Sequence, residues 1–348
     1  MENKDKHGWV DFVRVAAIFS VLFLHSAAPL LYEYNKISKN NWWSANIYDS
    51  AVRMCVPLLF MISGFLLLGK NEPLKIYFQK RISKVLIPLI TWSIIFLLWK
   101  RYFENGDEIN ATTLIKMLFF PSYFHLWFLY ALVGLYLFIP ILRVLYANST
   151  KEIHYYFVLL WFFAVSVLPL LLRYLHLKTE LDLRMISGYV GYLVLGKLLG
   201  NMNITKKQFS LSVIISLLSF LVTAIGTGYL VQLNKGQLDG YFYDYLSPNI
   251  IIFSITIFIV LKFIASNTLS LNRTTPILKQ LSAASFGIYL VHPLIMNLIN
   301  RGAAGYSFSV YSTNAVISIP IMAILTFGIS FVIIFITQKI PVIRKCVP

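Results

Sequence analysis

Arg14 and His25 lie within the first long apolar segment of the chain, eleven residues apart. A guanidinium and an imidazole are costly inside an apolar segment of membrane length, so both mark a functional site. In a helix this spacing is three turns plus about 20°, which puts both side chains on one face, about 16.5 Å apart along the axis. Guanidinium groups bind phosphates, and histidine can take a proton from a hydroxyl group. The pair predicts a site that holds an anion near one membrane surface and does acid–base chemistry deeper in the membrane.

The second apolar segment offers a carboxylate partner for His25. Asp49 lies at its start, and we predict that Asp49 orients His25 and makes it a stronger base. We expect Arg53 to stabilise negative charge at the site or to bind a substrate. Because Asp49 and Arg53 are four residues apart, they can also satisfy each other. A further alternative for His25 is a structural histidine, bonded only to a carbonyl of a neighbouring helix.

Three other basic residues are expected near the same surface as Arg14, namely Arg81, Lys84 and Arg143. If their helices converge, these groups form an anion pocket that suits a nucleotide with several phosphates. The alternatives are that basic side chains reach the lipid headgroups, or that they only set the orientation of the chain. Arg14 could also pair locally with Asp11.

Aromatic and histidine side chains precede and begin the fourth apolar segment. His125, Trp127 and Tyr130 are predicted at the outer interface, where they form either an aromatic belt or a platform for a sugar ring. His292 is expected in the middle of a helix, next to Pro293, as a packed and hydrogen-bonded residue, and a role in the site is the alternative.

The composition predicts the elements that position these residues. The chain has 348 residues, of which 58% are hydrophobic and 13% charged, and its mean hydropathy is +0.72. Long apolar segments of this kind indicate an all-α, polytopic membrane protein, because helices satisfy their own backbone in lipid. We predict about ten membrane helices, at residues 9–31, 48–69, 84–103, 126–146, 154–173, 185–200, 209–231, 247–265, 280–299 and 312–338.

Two segments depart from this pattern. The span predicted at 185–200 is the weakest, and its glycines indicate a small-residue face for close helix packing. Residues 111–125 are apolar but too short to cross a membrane, which predicts an interfacial or re-entrant segment. We predict one membrane domain over residues 1–348, with no appended soluble domain.

The net charge of +16 would suggest nucleic-acid binding in a soluble protein. Here the basic residues favour the loops on the N-terminal side, above all residues 70–84, so the positive-inside rule predicts that both termini are cytoplasmic. Cys55 and Cys346 give no disulfide framework. The sequence has no zinc-ligand spacing, nucleotide-binding glycine loop or serine-hydrolase elbow, and no metal is predicted.

Five segments occur in an order that resembles the bacterial membrane acyltransferase family called acyltransferase family three. They read RVAAIFSVLFLH, CVPLLFMISGFLLL, YFQKRISKVLIPLITW, HLWFLYALVGLYLFIPILR and SFGIYLVHPLI. The resemblance covers most of the chain and is closest to the stand-alone branch that includes the O-acetyltransferase of enterobacterial common antigen. Arg14 and His25 fit the family's arginine–ten residues–histidine motif. The family's R-x-x-R motif corresponds to Arg81 and Lys84, and the lysine lacks the planar fork of arginine.

The resemblance implies an enzyme of the bacterial plasma membrane. It implies transfer of an acyl group from cytoplasmic acetyl-CoA to a hydroxyl of an envelope glycan or a lipid-linked sugar. We expect the donor phosphates on the four basic residues named above. We expect His25 to act as the base, or to carry the acyl group covalently.

Two other functions fit parts of the sequence. A transporter or flippase for a glycan or a small anion would also use an intramembrane arginine and an aromatic rim. A membrane sensor or scaffold is the third possibility. Coenzyme A binding that depends on Arg14 would favour the enzyme. The sequence does not encode the acceptor or the oligomeric state in any motif.

Overall fold

The structure is a computed structural model that describes residues 8–106, 108–176, 188–267, 276–303, 305 and 307–348. The described chain is 79% helix and has no strand. Nine of its helices are long and apolar enough to cross a membrane. The predicted all-α polytopic architecture is therefore confirmed.

Thirteen α-helices make up the described part of the chain. They are α1 Gly8–Leu31, α2 Lys39–Val52, α3 Cys55–Leu68, α4 Leu74–Phe103, α5 Ala111–Lys116, α6 Trp127–Ala147, α7 Lys151–Phe162, α8 Leu168–Leu175, α9 Val190–Asn201, α10 Lys206–Leu233, α11 Pro248–Asn267, α12 Pro276–Asn300 and α13 Ala315–Thr337. Short 3₁₀ helices at Phe124–Leu126 and Tyr241–Tyr243 precede α6 and α11, and a third, Ile343–Lys345, follows α13.

Two spans are interrupted, and proline explains both interruptions. The second span, Lys39–Leu68, breaks between α2 and α3, because Pro57 has no N–H for the carbonyl of Arg53, four residues earlier. The fifth span, Lys151–Leu175, contains a π-helical turn at Phe163–Val167. Here Pro169 leaves the carbonyl of Val165 without its usual donor. The first break places the predicted site residue Arg53 at a discontinuity inside the bundle.

The sixth predicted span is shorter than expected. Only α9, with 12 residues, lies in the described region, and the start of the predicted span falls in residues 177–187, outside it. A Cβ on Gly64 would lie 2.0 Å from the Leu193 carbonyl oxygen, and one on Gly196 would lie 1.9 Å from that of Met61. Helices α3 and α9 therefore pack backbone against backbone, as the predicted small-residue face requires.

Helix α1 lies in the middle of the bundle, where it packs against α2, α3, α11, α12 and α13. At one end of the bundle, Arg14 contacts Ser282 and Gln338 contacts Ala283. The start of α1 and the segment after α13 therefore both lie beside the start of α12. We call this end, which carries Arg14, Arg81 and Lys84, the basic face. Residues 338–348 fold back there, and the indole N–H of Trp92 donates to the Cys346 carbonyl at 3.1 Å.

Candidate functional site

A cavity of about 270 Å³ lies between α1, α3, α4, α6 and α12. Arg14, Arg81 and Lys84 all line it. Much of the remaining wall is apolar, with side chains such as Ile18, Leu59 and Phe128. Three of the four cations predicted to share an anion pocket are thus brought to one cavity.

Arg14 is held from one side and open on the other. Its Nη1 donates to Ser282 Oγ at 2.8 Å, and Ser282 Oγ donates to Asp11 Oδ1 at 2.6 Å. The direct Arg14–Asp11 separation is longer, at 3.5 Å. The side chain keeps 30% of its surface exposed, and the other nitrogens have no hydrogen-bond partner among the described residues. Ser282 and Asp11 orient the guanidinium and leave its remaining donors to the cavity.

Arg81 and Lys84 lie one turn apart in α4. Arg81 Nη2 is 3.9 Å from Glu72 Oε2, and its buried Nε has no partner within the described chain. Lys84 is exposed, and no ion pair with a described residue involves it. Both cations therefore retain donors for a ligand in the cavity.

Arg143 does not line this cavity. Its Nε donates to the Leu67 carbonyl at 2.8 Å, and its Nη2 to Glu72 Oε2 at 3.2 Å. The guanidinium lies 4.6 Å from the centre of the Tyr77 ring, and the side chain is 9% exposed. Arg143 joins α6 to the end of α3, so the structure does not support the prediction that it shares the pocket of Arg14.

Glu72 is a site residue that the sequence reasoning missed. It accepts hydrogen bonds from Lys80 at 2.8 Å and from Arg143. The bond from Lys80 is the main reason that the pKa of Glu72 falls below its ordinary value. Glu72 is the one acid within the basic segment 70–84, which is the signal that could have identified it.

His25 does not have the predicted carboxylate partner. Asp49 is fully buried and forms an ion pair with Arg53, the alternative that their spacing left open. Arg53 also lies 4.1 Å from the centre of the Tyr243 ring, and its Nη1 is 3.4 Å from the Tyr243 carbonyl oxygen. The prediction that Asp49 orients His25 is therefore not supported by the geometry.

His25 instead contacts rings. Its ring centre is 4.9 Å from that of Phe124 and 5.1 Å from that of His292, and the two imidazole planes are 21° apart. In the part of the chain that the structure describes, His25 makes no hydrogen bond.

His125 packs inside the bundle and does not face outward in an aromatic belt. It is fully buried, its Nε2 is 3.3 Å from the Leu290 carbonyl oxygen, and its ring centre is 5.3 Å from that of His292. The buried His292 thus contacts both the buried His125 and the partly buried His25. No group of ligands suited to a metal ion occurs among the described residues.

Tyr289 connects the cavity to these histidines. It lines the cavity, its hydroxyl donates to the His125 carbonyl, and its own carbonyl contacts His292 Nδ1 at 2.7 Å. Tyr289 therefore joins the wall of the cavity to two of the three imidazoles.

Trp127 and Tyr130 make contacts within the protein. The Trp127 ring stacks on that of Tyr245 with 5.7 Å between centres. The Tyr130 hydroxyl contacts the carbonyl oxygens of Met117 and Phe120, the latter at 3.0 Å. Tyr130 thereby anchors the segment 111–125, in which α5 has no buried residue. A role for either ring in binding a sugar stays a prediction.

A family comparison agrees with this geometry. The sequence profile of acyltransferase family 3, described as an acyltransferase domain, matches residues 7–335. The chain belongs to acyltransferase family 3. This supports a membrane acyltransferase, while the O-acetyltransferase branch stays a prediction. No curated protein and no solved structure matches the chain.

Proposed function

We propose that this family 3 acyltransferase moves an acetyl group from cytoplasmic acetyl-CoA to a hydroxyl of an envelope glycan or a lipid-linked sugar. The bacterial plasma membrane is the proposed location. The observation that carries the proposal is one cavity lined by three cations and by Tyr289, which contacts His125 and His292, the second of which lies beside His25.

The cationic end suits the phosphates of coenzyme A. Arg14 and Arg81 offer charge-assisted hydrogen bonds, and Lys84 adds a third positive charge. The apolar wall suits the pantetheine arm, which carries the thioester inward. A donor bound in this way would place its charged part at the basic face and its reacting carbon near His25.

His25 is the proposed base for the transfer. It takes the proton from the acceptor hydroxyl while the oxygen attacks the thioester carbon. The carbon–sulfur bond then breaks, and the proton passes to the departing thiolate. Arg53, which is paired with Asp49 at the break in the second span, is the proposed group that stabilises the oxyanion. In the second route, a His25 nitrogen attacks the thioester carbon, the carbon–sulfur bond breaks and the thiolate leaves with the imidazole proton. The acceptor hydroxyl then attacks the acyl-imidazole, the carbon–nitrogen bond breaks and the hydroxyl proton returns to His25.

The test is transfer of label from radioactive acetyl-CoA in inside-out membrane vesicles that contain envelope acceptors. His25→Ala should lower incorporation by at least about a hundredfold, because it removes the base in either route. His154→Gln is the matched control, since His154 is also buried but packs on Tyr146 of α6, outside the cavity lining. Transfer at the wild-type rate by folded His25→Ala protein would contradict the proposal.

The broken second span also favours a second function. Interrupted helices with buried charges are found in transporters, and the ion pair of Asp49 and Arg53 lies at the end of α2, directly before such a break. A transporter for a glycan or a small anion needs no acyl-CoA. Purified protein that shows no affinity for coenzyme A would favour this alternative.

A further inference from the structure

His292 presents an unused hydrogen-bond acceptor beside His25. Its Nδ1 lies 2.7 Å from the Tyr289 carbonyl oxygen. A carbonyl only accepts, so Nδ1 carries the hydrogen, and Nε2 of the neutral ring carries a lone pair. Nε2 is buried and has no partner among the described residues. A buried acceptor without a donor is destabilising, which calls for an explanation at this position.

His25 is the group that can supply that donor. A base that removes a proton with one ring nitrogen carries hydrogen on the other, and this second N–H needs an acceptor. Asp49 does not provide one, because it pairs with Arg53. The two imidazole centres are 5.1 Å apart. At this separation, a hydrogen bond between the two rings requires His25 to turn about its soft final torsion so that one nitrogen faces His292 Nε2.

We infer that His292 Nε2 accepts a hydrogen bond from the second N–H of His25 during acyl transfer. The inference rests on the proposed function, in which His25 is the base. The bond aims the other nitrogen of His25 at the reacting hydroxyl and shares the positive charge that His25 gains. His292 is thus a positioning residue, in the place that a carboxylate occupies in many base-orienting arrangements.

His125 is not the partner that this inference needs. One of its nitrogens also faces a backbone carbonyl, and its Nδ1 is buried without a partner among the described residues. Its ring contacts are with His292, Phe96 and other aromatic side chains, and none with His25 is found in the described chain. The near-parallel ring next to His25 is that of His292.

Two substitutions of His292 separate the effect of its hydrogen-bond acceptor from the effect of its packing. Asparagine places its amide nitrogen near Nδ1, so His292→Asn keeps a donor for the Tyr289 carbonyl and removes the acceptor. Glutamine places its amide near Nε2, so His292→Gln restores an acceptor. We expect His292→Asn to lower kcat about 30- to 100-fold, as loss of one charge-assisted bond predicts, with the acetyl-CoA KM within about twofold. The kcat of His292→Gln should be at least about tenfold higher than that of His292→Asn.

The matched control is His154→Gln. His154 also has one nitrogen near a carbonyl, that of Tyr146 at 3.1 Å, and a buried Nδ1 without a partner in the described chain. It should keep the wild-type kcat. Coenzyme A binding checks that each variant folds, and His292→Met, which has no comparable acceptor, replaces His292→Asn if that protein does not fold.

The outcomes are distinct. Wild-type kcat in folded His292→Asn protein, or equal losses in the asparagine and glutamine variants, would overturn the inference and leave the proposed function intact. Full activity of His25→Ala would instead overturn the proposed function. Loss of kcat in His292→Asn, recovery in His292→Gln and no loss in His154→Gln would support the inference.

Discussion

Arg14 and Arg143 are both arginines at the basic face, yet their surroundings differ. Arg143 is nearly buried, and the Leu67 carbonyl and Glu72 take its donors. Arg14 has 30% of its side chain exposed, is fixed through Nη1 alone and lines a cavity. The first arginine has its charge balanced inside the protein, and the second presents charge to a ligand.

The comparison shows that a guanidinium near a membrane surface is not in itself an anion site. Whether an arginine binds an anion depends on how many of its guanidinium donors are already bonded within the protein. Glu72 makes this difference, because it binds Arg143 and Lys80 but only approaches Arg81 at 3.9 Å. We therefore expect stability to depend on one group of cations and donor binding on the other.

The largest effect on stability is expected for Arg143→Met. The substitution leaves the Leu67 carbonyl without its donor and Glu72 without one cation, which should cost about 2–4 kcal/mol of stability. Thermal unfolding of the purified protein in detergent should show a midpoint lower by several degrees. The acetyl-CoA KM of the folded fraction should stay within about twofold of wild type. A KM as high as that of Arg14→Ala would contradict the proposed difference between Arg143 and Arg14.

A smaller effect is expected for Lys84→Gln. Lys84 is exposed, and screened surface charges contribute little, so we expect the acetyl-CoA KM to rise about two- to fivefold. The rise should shrink as the salt concentration increases, and the unfolding midpoint should not change. A KM that is unaffected at low salt would remove Lys84 from the donor site.

The sequence predicts the parts of this site that depend on local structure. The shared face of Arg14 and His25 follows from helix geometry, and the spans follow from apolar length. The contacts across the bundle are different, because Arg143 meets Glu72 over 71 positions and Arg14 meets Ser282 over 268. No local pattern encodes such pairs.

Two errors have the same physical origin. Asp49 had two possible partners, and the buried Arg53 four residues later won because pairing removes the cost of two isolated charges. His125 was predicted to belong to an aromatic belt or platform from its aromatic neighbours, although its own ring packs against Tyr289 and Phe96 inside the bundle. Helical periodicity shows which residues share a face of a helix, but it does not show which neighbouring helix that face packs against.

Binding of truncated donors to the purified protein tests the cationic cavity most directly. Coenzyme A, dephospho-coenzyme A and pantetheine would be compared by calorimetry on the wild type, Arg14→Ala and Arg143→Met. We predict that wild type and Arg143→Met prefer coenzyme A to pantetheine by at least about a hundredfold, since the phosphates supply charge-assisted bonds. Arg14→Ala should lose about ten- to a hundredfold of that preference. Equal affinity of the wild type for coenzyme A and pantetheine would contradict the assignment of this cavity to the donor phosphates.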